Sequence, residues 1–136
     1  MILYCDGASR GNPGPAAIGV VLTDLRGNEL ATISEKLGTA TNNEAEYRAL
    51  LRGLERAVSL QSDEIEIRTD SDLLAQQLDG NYRVRAANLK SLHQRAQREC
   101  KHFKRVSIKH IPRERNRRAD ALANQALNKT WRRRCS

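Results

Sequence analysis

A change of hydrophobic period near residue 41 limits the fold more than any other feature of this chain. Before it, apolar residues come in short, partly β-branched runs, Met1–Asp6, Ala16–Asp24 and Glu29–Leu37, separated by the turn-rich stretches Ser9–Pro15 and Leu25–Asn28. These read as three strands joined by hairpins. After it, Thr41–Leu60 carries apolar residues at 47, 50, 51, 54, 57 and 58, the helical period. The alternating Glu64–Thr69 predicts a fourth strand and Ser71–Leu78 a helix ended near Gly80. A helix over Ala86–Phe103 and a fifth strand over Val106–Ile111, stopped by Pro112, follow. Asn116 is placed to cap a last helix reaching about Asn128. Hairpins first and β-α crossovers later imply an α/β domain built on a mixed sheet with helices packed against it.

The 136 residues suit one domain, expected over 1–129, with 130–136 as a basic C-terminal tail around Trp131–Arg134. No apolar run approaches the ~18 residues of a membrane helix, and the first residues lack a basic n-region and a long apolar core. The three cysteines, Cys5, Cys100 and Cys135, are too few and too scattered for a disulfide framework or a paired-cysteine zinc site. A cytoplasmic protein is expected. The formal charge of +8 is unevenly placed: residues 101–136 hold twelve lysines and arginines against Glu114 and Asp120, while residues 1–100 hold twelve against fourteen acids. That asymmetry favours a polyanionic partner, nucleic acid before a membrane surface.

Four acids fall where they can meet. Asp6 and Asp70 close the first and fourth strands, and sites in open α/β sheets form beyond the carboxyl ends of strands. Carboxylates held close repel, and a divalent cation relieves the repulsion. At ~100° per residue, Glu46 shares a stripe with Leu50, Gly53 and Ala57, whereas Glu44 lies on the charged side beside Arg48 as an ordinary surface pair. Glu46 is therefore the third candidate, because a carboxylate on the inward stripe needs a partner. Asp120, in the first turn of the last helix, is the fourth. Each one alone also reads as a turn, cap or helix-terminus residue.

The segments Asp6-Gly-Ala-Ser-Arg-Gly-Asn-Pro-Gly-Pro15, Thr41-Asn-Asn-Glu-Ala-Glu46, Thr69-Asp-Ser71 and His110…Asn116-Arg-Arg-Ala-Asp120, in that order, resemble type 1 ribonuclease H. The resemblance implies a five-stranded mixed sheet whose first three strands are antiparallel. It implies an endonuclease that hydrolyses the RNA strand of RNA/DNA hybrids to 5′-phosphate and 3′-hydroxyl ends. The family's metal-binding acids carry over to Asp6, Glu46, Asp70 and Asp120, in agreement with the helix-stripe choice of Glu46. The implied cofactor is Mg²⁺, with Mn²⁺ as a substitute, as two ions ~3.5–4 Å apart; hard oxygen ligands suit such ions. The family's mobile histidine corresponds to His110, and His93 and His102 are expected on the surface. Substrate contacts carry over to Gly7, Gly11, Asn12, Asn42 and Asn43 in the minor groove, where the 2′-hydroxyl marks RNA, and to Thr41 at a DNA phosphate. The implied partner is the RNA/DNA hybrid, with a monomer and no obligatory protein partner.

The chain departs from many relatives in three places. Thr39 stands where some carry an arginine for the DNA phosphate. Gly80-Asn-Tyr-Arg-Val-Arg85 leads directly into the next helix, without the basic helix-loop handle. His110-Ile-Pro-Arg-Glu-Arg-Asn116 lacks a glycine-containing loop and resembles the compact archaeal and actinobacterial branch, in which Arg113 or Arg115 is available to share the histidine's role. Two other readings stay open on sequence alone: a catalytic domain of a longer polypeptide, and a non-catalytic module that binds hybrid or duplex RNA on the same fold.

Overall fold

A computed structural model describes the backbone of residues 1–135 and the side chains of residues 1–129. The expected tail, 130–136, lies outside the residues whose side chains are described. Five strands, β1 (Ile2–Ser9), β2 (Gly14–Thr23), β3 (Glu29–Ala40), β4 (Glu64–Thr69) and β5 (Arg105–His110), form one sheet in the order β3-β2-β1-β4-β5. The first three pair antiparallel, and β4 pairs parallel to both β1 and β5. The helices are α1 (Asn42–Ser59), α2 (Asp72–Leu78), α3 (Ala87–Cys100) and α4 (Arg117–Cys135), and a single 3-10 turn (Arg113–Arg115) precedes α4. α4 thus extends past its expected end near Asn128.

Helices cover both faces of the sheet, which explains why β2 reads as an unbroken apolar run rather than an alternation. On one face α1 packs Leu50, Leu51 and Leu54 with Leu3, Val20 and Leu22, and Leu89 and Leu92 of α3 close the same core. On the other, Ala119 and Leu122 of α4 meet Val21, while Ala126 and Leu127 meet Ala17. Fully burying one such leucine contributes roughly 1.5–3 kcal/mol, so these layers fix where α1 and α4 begin. Among the described residues no helix is long and apolar enough to cross a membrane.

One expectation about the strands needs correction. Asp6 does not close β1: the strand continues to Ser9, paired with Ala16. It parts from β4 earlier, since the last parallel pair is Tyr4↔Arg68. Asp6 and Asp70 each lie two residues beyond that pair, so parallel register sets them side by side although β1 itself runs on along β2.

Candidate active site

Two glycines allow the helices to bring their acids to Asp6. A Cβ on Gly7 would lie 2.4 Å from the Ala45 carbonyl carbon, so α1 can begin against β1 only if position 7 is bare. The Gly7 amide then donates to Glu46 Oε1 at 2.8 Å. Gly19 sits opposite Asp6 in the β1–β2 register, and a Cβ there would lie 1.9 Å from the Ala119 carbonyl oxygen. α4 therefore rests directly on β2, one residue before Asp120.

Asp6, Glu46 and Asp70 each present a carboxylate oxygen, all within 4.8 Å of one another. Asp120 is outside that tight group but lines the same cavity, of about 520 Å³, with Gly7, Asn42 and Asn43. Asp6 is 5% exposed and Glu46 8%. Burial, then the Glu46 charge, then sharing of a proton with Asp120, push the Asp6 carboxyl far above the usual carboxylate range. Burial also raises Glu46, partly offset by the Gly7 amide. Glu46 Oε2 is buried with no hydrogen-bond partner. Crowded acids with an orphaned oxygen suit a divalent cation with oxygen ligands.

The other expected residues divide into two groups. Thr41 caps α1: its hydroxyl accepts from Glu44 N at 3.1 Å while Glu44 Oε1 accepts from Thr41 N at 2.8 Å. Glu44 is thus held first by this reciprocal cap, with the expected Arg48 partner adding a smaller charge interaction. Asn42 and Asn43 are exposed at the first turn of α1 and face the cavity. Asn12 and Gly11 lie on the exposed β1–β2 loop, where Asn12 Oδ1 accepts from Asn42 N at 3.0 Å. That bond ties the glycine-rich loop to the start of α1. His110 stands at the end of β5 with Nε2 3.2 Å from the Asp70 carbonyl oxygen and Nδ1 4.0 Å from Asp72. Arg113 is the one basic side chain among the described residues lining the cavity.

Two residues behave differently from their sequence readings, and a third, Asn124, was not singled out by the sequence. His93 is not simply a surface residue: it is half-buried, edge-on to Tyr47, with Nε2 3.2 Å from the Gln77 carbonyl oxygen. Asn116 starts α4 through its backbone carbonyl, which accepts from Asp120 N, but its side chain does not cap the helix. That side chain is buried and turned to Cys5 and Asp70. Asn124, one helical turn after Asp120, also lines the cavity; its position on the face shared with Asp120 was the available sequence signal.

A mixed sheet in this strand order, with an acid cluster where β1 and β4 diverge, defines a ribonuclease H fold. Comparison with known proteins agrees. A family model described as reverse transcriptase-like matches residues 4–126. Ribonuclease HI of Halobacterium salinarum is 48% identical over 125 residues, covering 92% of this chain and 63% of that protein. The chain therefore spans less than two thirds of that curated relative's length. The crystal structure of ribonuclease H1 from the same archaeon superposes with a TM-score of 0.92 at 47% identity, covering 94% of this chain and 97% of that one. LC11-RNase H1, solved in complex with RNA/DNA hybrid, gives 0.90 at 43% identity, covering 96% and 98%. The chain belongs to the ribonuclease H family, whose chemistry depends on divalent metal.

Proposed function

We propose that this chain is an endoribonuclease that hydrolyses the RNA strand of RNA/DNA hybrids, leaving 5′-phosphate and 3′-hydroxyl ends. The observation that carries the reading is the convergence of Asp6, Glu46 and Asp70 within 4.8 Å, with Asp120 in the same cavity. The hybrid held by the related LC11-RNase H1 supports the substrate class.

Asp6, Glu46, Asp70 and Asp120 would hold Mg²⁺, or Mn²⁺ in its place, as two ions with substrate bound, with Asp6 central because the other acids surround it. Bound there, the cations would supply Lewis-acid chemistry: polarisation of the scissile phosphate, a lowered pKa for water and stabilisation of the leaving oxygen. The Gly7 amide fixes the Glu46 carboxylate. Asn42 and Asn43 offer amides to the minor groove, and the Gly7 backbone on β1 and the loop holding Gly11 and Asn12 approach the 2′-hydroxyls. Thr41, which caps α1 beside the glycine-rich loop, faces a DNA phosphate. His110 or Arg113 moves a proton or releases product at the cavity rim. The working form is a cytoplasmic monomer.

The deciding experiment is a gel assay of end-labelled RNA/DNA hybrid, duplex RNA and duplex DNA with Mg²⁺, Mn²⁺ or chelator. Cleavage of RNA in the hybrid alone, lost with chelator, is expected. Hybrid bound yet uncut with either cation would make this a binding module.

A further inference from the structure

Asn116 is 1% exposed, and its amide nitrogen reaches both β1 and the residue that follows β4. It donates to the Cys5 carbonyl oxygen at 2.9 Å and to Asp70 Oδ2 at 3.3 Å. The Cys5 carbonyl directly precedes Asp6 and lies one residue past the last β1–β4 pair, where the ladder no longer joins the two strands. The same residue's backbone carbonyl accepts from Asp120 N at 3.1 Å and opens α4. One side chain and its own carbonyl therefore tie together the backbone before Asp6, the carboxylate of Asp70 and the amide of Asp120.

The arrangement is not one that stability alone favours. Asn116 Oδ1 is buried with no hydrogen-bond partner, and an unsatisfied buried acceptor costs free energy. A side chain turned the usual way for a helix start would give that oxygen a helical N–H. Here the amide is instead committed to Cys5 and Asp70. Both of its hydrogens are used, one of them on Asp70 Oδ2, so the amide acts as a donor that holds this carboxylate by one oxygen and leaves the other oxygen to a cation. Groups that orient ligating carboxylates tune cation binding as strongly as many ligands do.

We infer that Asn116 is a positioning residue that sets the spacing of Asp70, Asp6 and Asp120 for divalent-cation binding. The inference rests on the ribonuclease reading of the same site. Its direct test is Mn²⁺ binding to the free protein, followed by electron paramagnetic resonance, in wild type, Asn116→Ala and Asn116→Asp; the last keeps the shape but loses the donor. Both variants should bind Mn²⁺ about 10–100-fold more weakly. They should lower kcat on hybrid by a similar factor with KM within about twofold, because a transition-state arrangement is lost while uniform binding remains. Wild-type Mn²⁺ affinity in a folded variant, or lost activity that follows a lowered Tm at unchanged Mn²⁺ affinity, overturns the inference. Should the variants not fold, wild-type NMR decides: the Asn116 side-chain amide protons should be protected from exchange and shift on Mg²⁺ addition, and signals unmoved by saturating Mg²⁺ overturn it. If wild type leaves hybrid uncut, the ribonuclease reading fails, while the Mn²⁺ affinities still judge Asn116.

Discussion

Glu46 takes the Gly7 amide while Glu44, two positions earlier, takes the Thr41 amide, so one short motif supplies both a buried acid of the cluster and a helix cap. The expected outcome at this scale is a sharp contrast: Glu46→Gln loses hybrid cleavage by orders of magnitude, and Glu44→Gln, which can still cap, stays near wild type in the same kinetic assay. Asp6→Asn and Asp70→Asn should likewise be almost inactive. Stability should move the other way for Asp6. Its carboxyl titrates well above the ordinary range, so above ~pH 4 the native state holds a proton that the unfolded chain has released. Stability contributed by that proton falls as pH rises, because the native state binds more protons than the unfolded one. In chelator, thermal melts of Asp6→Asn should exceed wild type by several degrees at pH 8, with a smaller gap at pH 5. Added Mg²⁺ should close the gap by stabilising wild type alone.

Among the elements, α4 and the turn before it carry the geometry least visible in any single residue. α4 reaches Asp6 because Gly19 gives it a bare strand to rest on. Gly19→Ala adds one carbon that meets backbone on the helix, so the helix must shift. We expect about 1–3 kcal/mol of destabilisation and at least about a hundredfold loss of kcat, the scale of a 1 Å misplacement. Denaturant melts and steady-state kinetics measure the two effects, and retained kcat in a destabilised variant would show that α4 position is not critical. Between β5 and α4, His110 touches the Asp70 backbone while Arg113 lines the cavity. His110→Ala should lower kcat modestly, with hybrid affinity in filter binding unchanged. An unaffected His110→Ala beside a slow Arg113→Ala assigns the role to Arg113.

For the whole molecule the governing feature is charge. Twelve lysines and arginines after residue 100 face only two acids, and without a basic handle they are expected to supply most of the grip on the proposed hybrid substrate. Phosphate contacts release counterions, so affinity should fall steeply between low and moderate salt. Truncation after Lys129 removes Arg132, Arg133 and Arg134. It should raise KM at moderate salt and flatten the salt slope with little change in kcat. Identical slopes for the full and truncated chains would place the grip in Lys101–Arg118 or Arg83–Lys90.

Element order, strand direction and the identity of the acids were legible in the residues, because hydrophobic period reports which face of a local element is buried and a 3.6-residue repeat alone separates Glu46 from Glu44. The family resemblance added the roles of those acids. Three things needed the folded chain. Asp6 lies within β1 rather than at its end, because antiparallel pairing with β2 outlasts parallel pairing with β4. Gly7 and Gly19 matter through what approaches them across the sheet, at 39 and 100 positions' remove in Glu46 and Ala119. Asn116 read as a helix cap, since its neighbours in sequence offer only that role, and the Cys5 and Asp70 acceptors reach it only when α4 lies across the sheet. Local pattern fixes what each element is; the distances between acids are set by packing between elements remote in sequence.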